Sequence, residues 1–211
     1  RVMSTTRTQR PSADTTRADI MDAALDLFSE LSFEGASTRL IAQRAGVPQP
    51  LLAYHFGSKD ALWRAAVGSL FDRLERELTQ AARSRHNNDV VAATKSSIRD
   101  FVHFSARNPQ LHRIITQTCK TEGEHLEWLV DNHIRPLFTR AVALFRPLMA
   151  QGIVRNIPEA HLYYIFTGAT ATMFVLAPEC RLLTGVDPLA DDHVALHAEF
   201  VIDTLFIKEN S

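Results

Sequence analysis

The run GVPQPLLAYHFGSK, residues 46–59, places Gln49 between two prolines. A glutamine amide carries an acceptor and a donor on adjacent atoms, the complement of adenine N6 and N7 in the major groove of DNA. Pro50 has no N–H, so it fits only in the first turn of a helix, and it disfavours α geometry at Gln49 just before it. The sequence therefore predicts Gln49 at an N-cap with its amide at the helix tip. Pro50 and Leu51 stand beside it as apolar surface for thymine methyl groups.

Other chemistry is thinly represented. His103, His112, His125 and His133 could donate to a ligand, and with Cys119 to a metal, but their spacing fits no known ligand set. Neither a metal nor a cofactor is expected. A Gly-rich phosphate loop, a GxSxG elbow and an HExxH pair are all missing, which argues against an enzyme. Cys119 and Cys180 lie far apart and neither belongs to a CxxC pair, so both are read as buried free thiols. Two alternatives stay open: a redox-responsive regulator acting through Cys119 or Cys180, and a helical interaction protein that does not bind DNA.

The elements that must position Gln49 follow from pattern. Residues 1–15 are rich in Ser, Thr and Arg with little to bury, which predicts a disordered basic arm. Thr16 to Asp19 fits a capping box, and Ile20, Ala24, Leu27, Phe28 and Leu31 follow at helical spacing up to Gly35. Ser37 can cap a second helix through Leu40, Ile41 and Ala45, which Gly46 ends. A third runs from about Pro48 to Phe56, and Ser58 caps a fourth whose apolar stripe continues to about Arg85. Two short helices joined through a glycine turn match a helix-turn-helix, whose second helix would enter the major groove.

Breaks at His86 to Asn88, at Asn108-Pro109, around Gly152, at Pro178 and around Gly185 divide the remainder into helices. Pro136 and Pro147 predict a kink in the stretch from Glu122 to Met149. Helices are expected from about Pro158 to Ala177, with Pro178 as the stop, and from Asp191 to Ile207. No segment alternates with period two, so the fold class is all-α.

At 211 residues, a small module fused to a larger one is plausible. With 45% hydrophobic and 22% charged residues, and no apolar run near the roughly 20 residues that span a bilayer, the chain reads as soluble, with no membrane partner. No secretory signal is evident, so a cytoplasmic location is expected. The net charge of −1 hides a segregation. Residues 37–59 carry Arg39, Arg44 and Lys59 with no acid, whereas residues 18–36 carry five acids and no Lys or Arg.

The run STRLIAQRAGVPQPLLAYHFGSKDALW closely resembles the DNA-binding module of TetR-family transcriptional regulators, in the small residue and glycine of its turn and its closing aromatic, Phe, Ser and Lys. The resemblance covers about Thr16 to Trp63. It implies a homodimer of helical chains, each with a helix-turn-helix at residues 16–60 and an effector-binding and dimerisation domain at 61–211. It also implies release of double-stranded, near-palindromic operator DNA when a small-molecule effector binds. By the same resemblance Thr38 contacts phosphate, Arg39 reaches phosphate or a guanine edge, Tyr54 and His55 contact phosphate, and Lys59 contacts the DNA backbone. Gln49 stands at the start of the recognition helix. Many relatives carry Tyr at the positions of Ala53 and His55, and Tyr54 stands in their place here.

In the second domain, Phe101, Phe104, Ile115, Trp128, His133, Phe138 and Phe174 are candidates to line an apolar effector pocket. The last two helices resemble by position the family's dimer-forming pair, which makes Tyr163, Phe166, Gly168, Ala169, His197, Phe200 and Val201 candidates for the subunit interface.

Overall fold

The computed structural model describes residues 13–83 and 89–207. The basic stretch at residues 1–12 and the break at His86 to Asn88 lie outside the described residues. The chain divides into two compact units, the first ending at Val67 and the second beginning at Gly68. That division falls inside a helix, further along than the end of the helix-turn-helix pattern.

In the first unit α1 (Ala13–Gly35) begins ahead of the predicted capping box, so Ala13 to Thr15 are helical rather than part of an arm. Ile20, Ala24, Leu27 and Phe28 are buried on one stripe. Asp19, Asp22, Asp26 and Glu30 lie on exposed positions, as a two-faced helix requires. Ser32 leaves helical geometry at φ 65°, and Leu31, expected in the stripe, is exposed. Then follow α2 (Thr38–Arg44), α3 (Gln49–Phe56) and α4 (Lys59–Arg83). Leu62, Trp63, Ala66 and Val67 of α4 join the same core.

The second unit continues α4 with buried Leu70, Phe71 and Leu74. It adds α5 (Val90–Arg107), α6 (Pro109–Thr118) and α7 (Glu124–Leu129), then a π turn (Val130–Ile134) running into α8 (Arg135–Ala150). The π turn interrupts the stretch just before Pro136, and Pro147 lies inside α8. Arg135 N–H bonds Val130 O, and Pro136, lacking an N–H, falls in the first turn of α8. Pro178 behaves differently from expectation. It does not simply stop a helix: α9 (Glu159–Val175) ends before it, and Pro178 sits in the first turn of a further helix, α10 (Ala177–Thr184), where a missing N–H costs nothing. The last helix, α11 (Asp191–Leu205), packs against α5.

Ile98, Val102, Phe145, Leu148, Leu162, Phe174, Val201 and Ile202 form one buried cluster among α5, α8, α9 and α11. Among the described residues the secondary structure is all helical, apart from one isolated antiparallel bridge between Val154 and Phe206. Among them no single helix is long and apolar enough to cross a membrane; α9 and α10 reach that length only as a pair bent by 73°.

Candidate nucleic-acid interface

The turn between α2 and α3 is built from local signals. Ser37 Oγ accepts the Leu40 N–H at 3.2 Å, so Ser37 caps α2. Gly46 closes α2 at φ 67°, a conformation that side chains with a Cβ avoid. Pro48, with φ −62° and ψ 136°, is the N-cap of α3, and its carbonyl accepts the Leu51 N–H at 2.9 Å. Gln49 is therefore the first helical residue and not the cap. Gln49 takes helical geometry despite the restriction that Pro50 imposes on it, and Pro50 in the first turn has no intrahelical acceptor to lose.

Leu52 and Phe56, four residues apart, are buried and fix the inner face of α3. The outer face presents Gln49, Pro50, Ala53 and Tyr54, with Tyr54 82% exposed. Leu51 and His55 are half-buried at its sides, and the His55 ring lies 5.4 Å from that of Tyr54. This places Gln49 and Pro50 at the tip of an outward face whose inner side is anchored, the arrangement that entry into a groove requires.

The basic residues differ in what they already do. Arg39 is exposed on α2. Lys59 Nζ donates to Phe33 O at 2.8 Å and Ala36 O at 3.1 Å and lies 4.3 Å from the centre of the Phe33 ring. It ties α4 to the end of α1, and at most one of its three N–H groups is left to reach outward. Arg44 is committed to Glu30 through two bonds of 3.2 and 3.1 Å, which hold its guanidinium pKa above the ordinary value. Burial raises the Asp26 carboxyl, partly offset by Arg44. Two acids of the 18–36 segment thus lie against a cation within the unit, while residues 37–59 contribute none. Like these contacts of Lys59 and Arg44, one more escaped sequence reasoning: Gln49 Nε2 donates to Thr38 Oγ1 at 3.1 Å. Only the crossing of α2 and α3 brings these positions together.

The second unit distributes its candidate residues over several places. Phe104 and Phe174 are fully buried core residues. Trp128 and His133 form an aromatic group with Phe71, whose ring stacks on His133 at 4.4 Å. Phe101 packs against His112 and Phe166, and Ile115 is half-buried on α6. Phe138 lines a small crevice of about 10 Å³, together with Val142, Phe145, Glu159, Leu162, Tyr163 and Phe166. Tyr163 and Phe166, expected at a subunit interface, thus face inward, and burial pushes the Tyr163 hydroxyl up to about 12. Val201, 4% exposed, is also core, because its neighbour Phe200 occupies the outward register.

His197 bonds Ala169 O at 2.7 Å within the unit, whereas Gly168 and Phe200 are exposed. The large apolar residues turned outward on these helices are Tyr164 and Ile165 on α9 and Leu196 and Phe200 on α11. Among the described residues no His, Cys, Asp or Glu group is arranged to hold a metal ion. Cys119 is exposed rather than buried as expected, and Cys180 is partly buried. Desolvation by its neighbours raises the Cys119 thiol pKa, the reverse of what a reactive thiolate needs.

Comparison with known proteins points the same way. The family profile described as bacterial regulatory proteins, tetR family, matches residues 20–66. The HTH-type transcriptional repressor Rv3405c of Mycobacterium tuberculosis is 36% identical over 179 residues, 85% of this chain and 82% of that protein. The HTH-type transcriptional regulator RutR of Escherichia coli K12 is 28% identical over 166 residues, 79% of this chain and 77% of RutR. The structure of AibR in complex with isovaleryl coenzyme A and operator DNA superposes with a TM-score of 0.71 at 16% identity, covering 90% of this chain and 98% of AibR. The haemolysin II regulator HlyIIR gives 0.63 at 20% identity, covering 93% of this chain and all of HlyIIR. With an outward-facing α3 on a helix-turn-helix and relatives that are transcription regulators, the chain belongs to the TetR family of DNA-binding transcriptional regulators.

Proposed function

We propose that this protein is a dimeric repressor that holds a near-palindromic operator through α3 and is released by a small, largely hydrophobic effector bound in the second unit. The observation that carries the DNA-binding part is the outer face of α3, where Gln49, Pro50 and Tyr54 stand clear of an inner face anchored by Leu52 and Phe56. In this reading Gln49 reads a base edge, Pro50 and Leu51 touch thymine methyl groups, and Thr38, Arg39, Tyr54, His55 and Lys59 contact phosphate, with Arg39 also able to reach guanine. An operator on DNA places the protein in the cytoplasm.

The dimer reading is supported by Tyr164, Ile165, Leu196 and Phe200, four large apolar side chains turned outward on α9 and α11. Two recognition helices one DNA turn apart double the contacts and call for a two-fold symmetric site. The effector reading is supported by AibR, whose structure holds both operator DNA and an acyl coenzyme A; the aromatic crevice around Phe138, Tyr163 and Phe166 has room for about one water and must widen to admit an effector. The effector must bind better to the conformation in which the two α3 helices are misplaced for the operator, since only differential affinity shifts the equilibrium.

Selection of duplexes from a random pool, followed by fluorescence anisotropy between 50 and 200 mM salt, tests this function. An enriched two-fold symmetric duplex, whose binding weakens steeply with salt, is the expected result. Failure to retain any duplex, or retention that does not change with salt, would overturn it.

A further inference from the structure

We infer that Thr38 is a positioning residue for base reading: it holds the Gln49 amide in the one orientation that selects adenine, while keeping its own O–H for phosphate. The inference rests on the reading of α3 as the recognition helix and adds to it how the reading group is oriented.

Gln49 Nε2 donates to Thr38 Oγ1 at 3.1 Å, across the turn between two helices. An amide nitrogen has two hydrogens. With one held by Oγ1, the other remains beside Oε1, and together they form an adjacent donor and acceptor. That pair is the complement of N7 and N6 of adenine, whereas guanine offers two acceptors at the same edge. An exposed glutamine at a helix tip is otherwise free to turn its amide over. With Oε1 toward Thr38 it would present two N–H groups and suit guanine instead.

The Thr38 side chain is available for this role because Ser37, and not Thr38, caps α2. A threonine hydroxyl accepts on its lone pairs and donates one hydrogen, so accepting from Gln49 leaves the O–H free for a phosphate oxygen. A branched Cβ also restricts the rotamers that Thr38 adopts. Thr38 is half-buried and Gln49 exposed, so the more constrained residue orients the less constrained one. Phosphate contact and base choice are then joined through a single hydroxyl.

The test compares wild type with Gln49→Ala, Thr38→Val and Thr38→Ser. Each is used for selection from a random duplex pool, then for anisotropy on the enriched duplex with each A·T pair replaced by G·C. Wild type should prefer adenine at one position per half-site by roughly 5- to 150-fold, the range of a good bidentate pair. Gln49→Ala should erase that preference, and Thr38→Val should cut it at the same position by at least about fivefold. Thr38→Ser should keep it, and Thr38→Val combined with Gln49→Ala should lose no further discrimination there. Unchanged thermal unfolding of Thr38→Val separates lost preference from lost fold. A Thr38→Val protein that binds all duplexes more weakly but keeps the full adenine preference would overturn the inference and leave Thr38 as a phosphate contact alone. A Gln49-dependent preference for guanine in wild type would overturn it as well. If wild type enriches no duplex, the DNA-binding reading falls and this inference falls with it, a result unlike either of the other two.

Discussion

In the first unit the buried and exposed residues of α1 follow residue type as far as Glu30: Ile20, Leu27 and Phe28 lie inside with Asp22 and Glu30 outside. In the second unit α9 is apolar on nearly every side, and residue type does not say which side is the core. Leu162 and Phe174 are buried, Tyr163 and Phe166 line a crevice, and Tyr164 and Ile165 face outward. The contrast has a thermodynamic cause. A helix with one polar face has one orientation that avoids burying charge, whereas a helix apolar all round can be turned without such a penalty and is oriented by packing alone.

The sharpest way to break this comparison is a pair of aromatic truncations in the second unit. Phe174→Ala removes a fully buried ring and should destabilise the protein by about 3–5 kcal/mol in denaturant unfolding. Phe200→Ala removes a ring 61% exposed and should instead change the concentration dependence of unfolding, as expected of a residue between subunits. Equal, concentration-independent losses would mean that α11 is turned the other way.

A smaller effect comes from His112. Ser105 Oγ donates to Phe101 O at 2.8 Å and lies 3.0 Å from His112 Nε2, so Nε2 carries the hydrogen of the neutral ring. Burial lowers the pKa of His112 from 6.5 to about 4. The folded value lies below the unfolded one, so between those values the unfolded chain binds more protons. The stabilisation is therefore fully present above about pH 6.5 and is lost as pH falls toward about 4. The loss amounts to about 3 kcal/mol at about 1.4 kcal/mol per unit. Thermal unfolding across that window should fall less steeply in His112→Phe than in wild type, and identical slopes would show that His112 is not the buried group responsible.

The smallest effect tests the first unit. Ser37→Ala should cost about 0.5–2 kcal/mol, the range for a lost N-cap, while leaving the adenine preference of Gln49 in place. A loss of that preference would show that the cap and the reading group are one device and not two.

Much of the first unit was legible because its signals are local: Ser37 as a cap, Gly46 as a left-handed stop and Pro50 in a first turn act on their own backbone. The exceptions are tertiary. Lys59 looked like a charge for DNA, but the carbonyls of Phe33 and Ala36 take two of its donors. Gln49 looked like a free amide, but Thr38 holds it. Neither partner is near in sequence. In the second unit the presence of helices was legible, while α10, the burial of Phe104, and the inward turn of Tyr163 and Phe166 were not.

By itself, the sequence determined the helical class, the helix-turn-helix and its family, since periodicity, caps and turn residues act within a few positions of the chain. Only the tertiary structure decided which apolar residues are core, crevice or outer face, and which polar groups already have partners. Those outcomes depend on how distant helices meet, and a helix apolar on all sides carries no local record of the side on which its neighbours will pack.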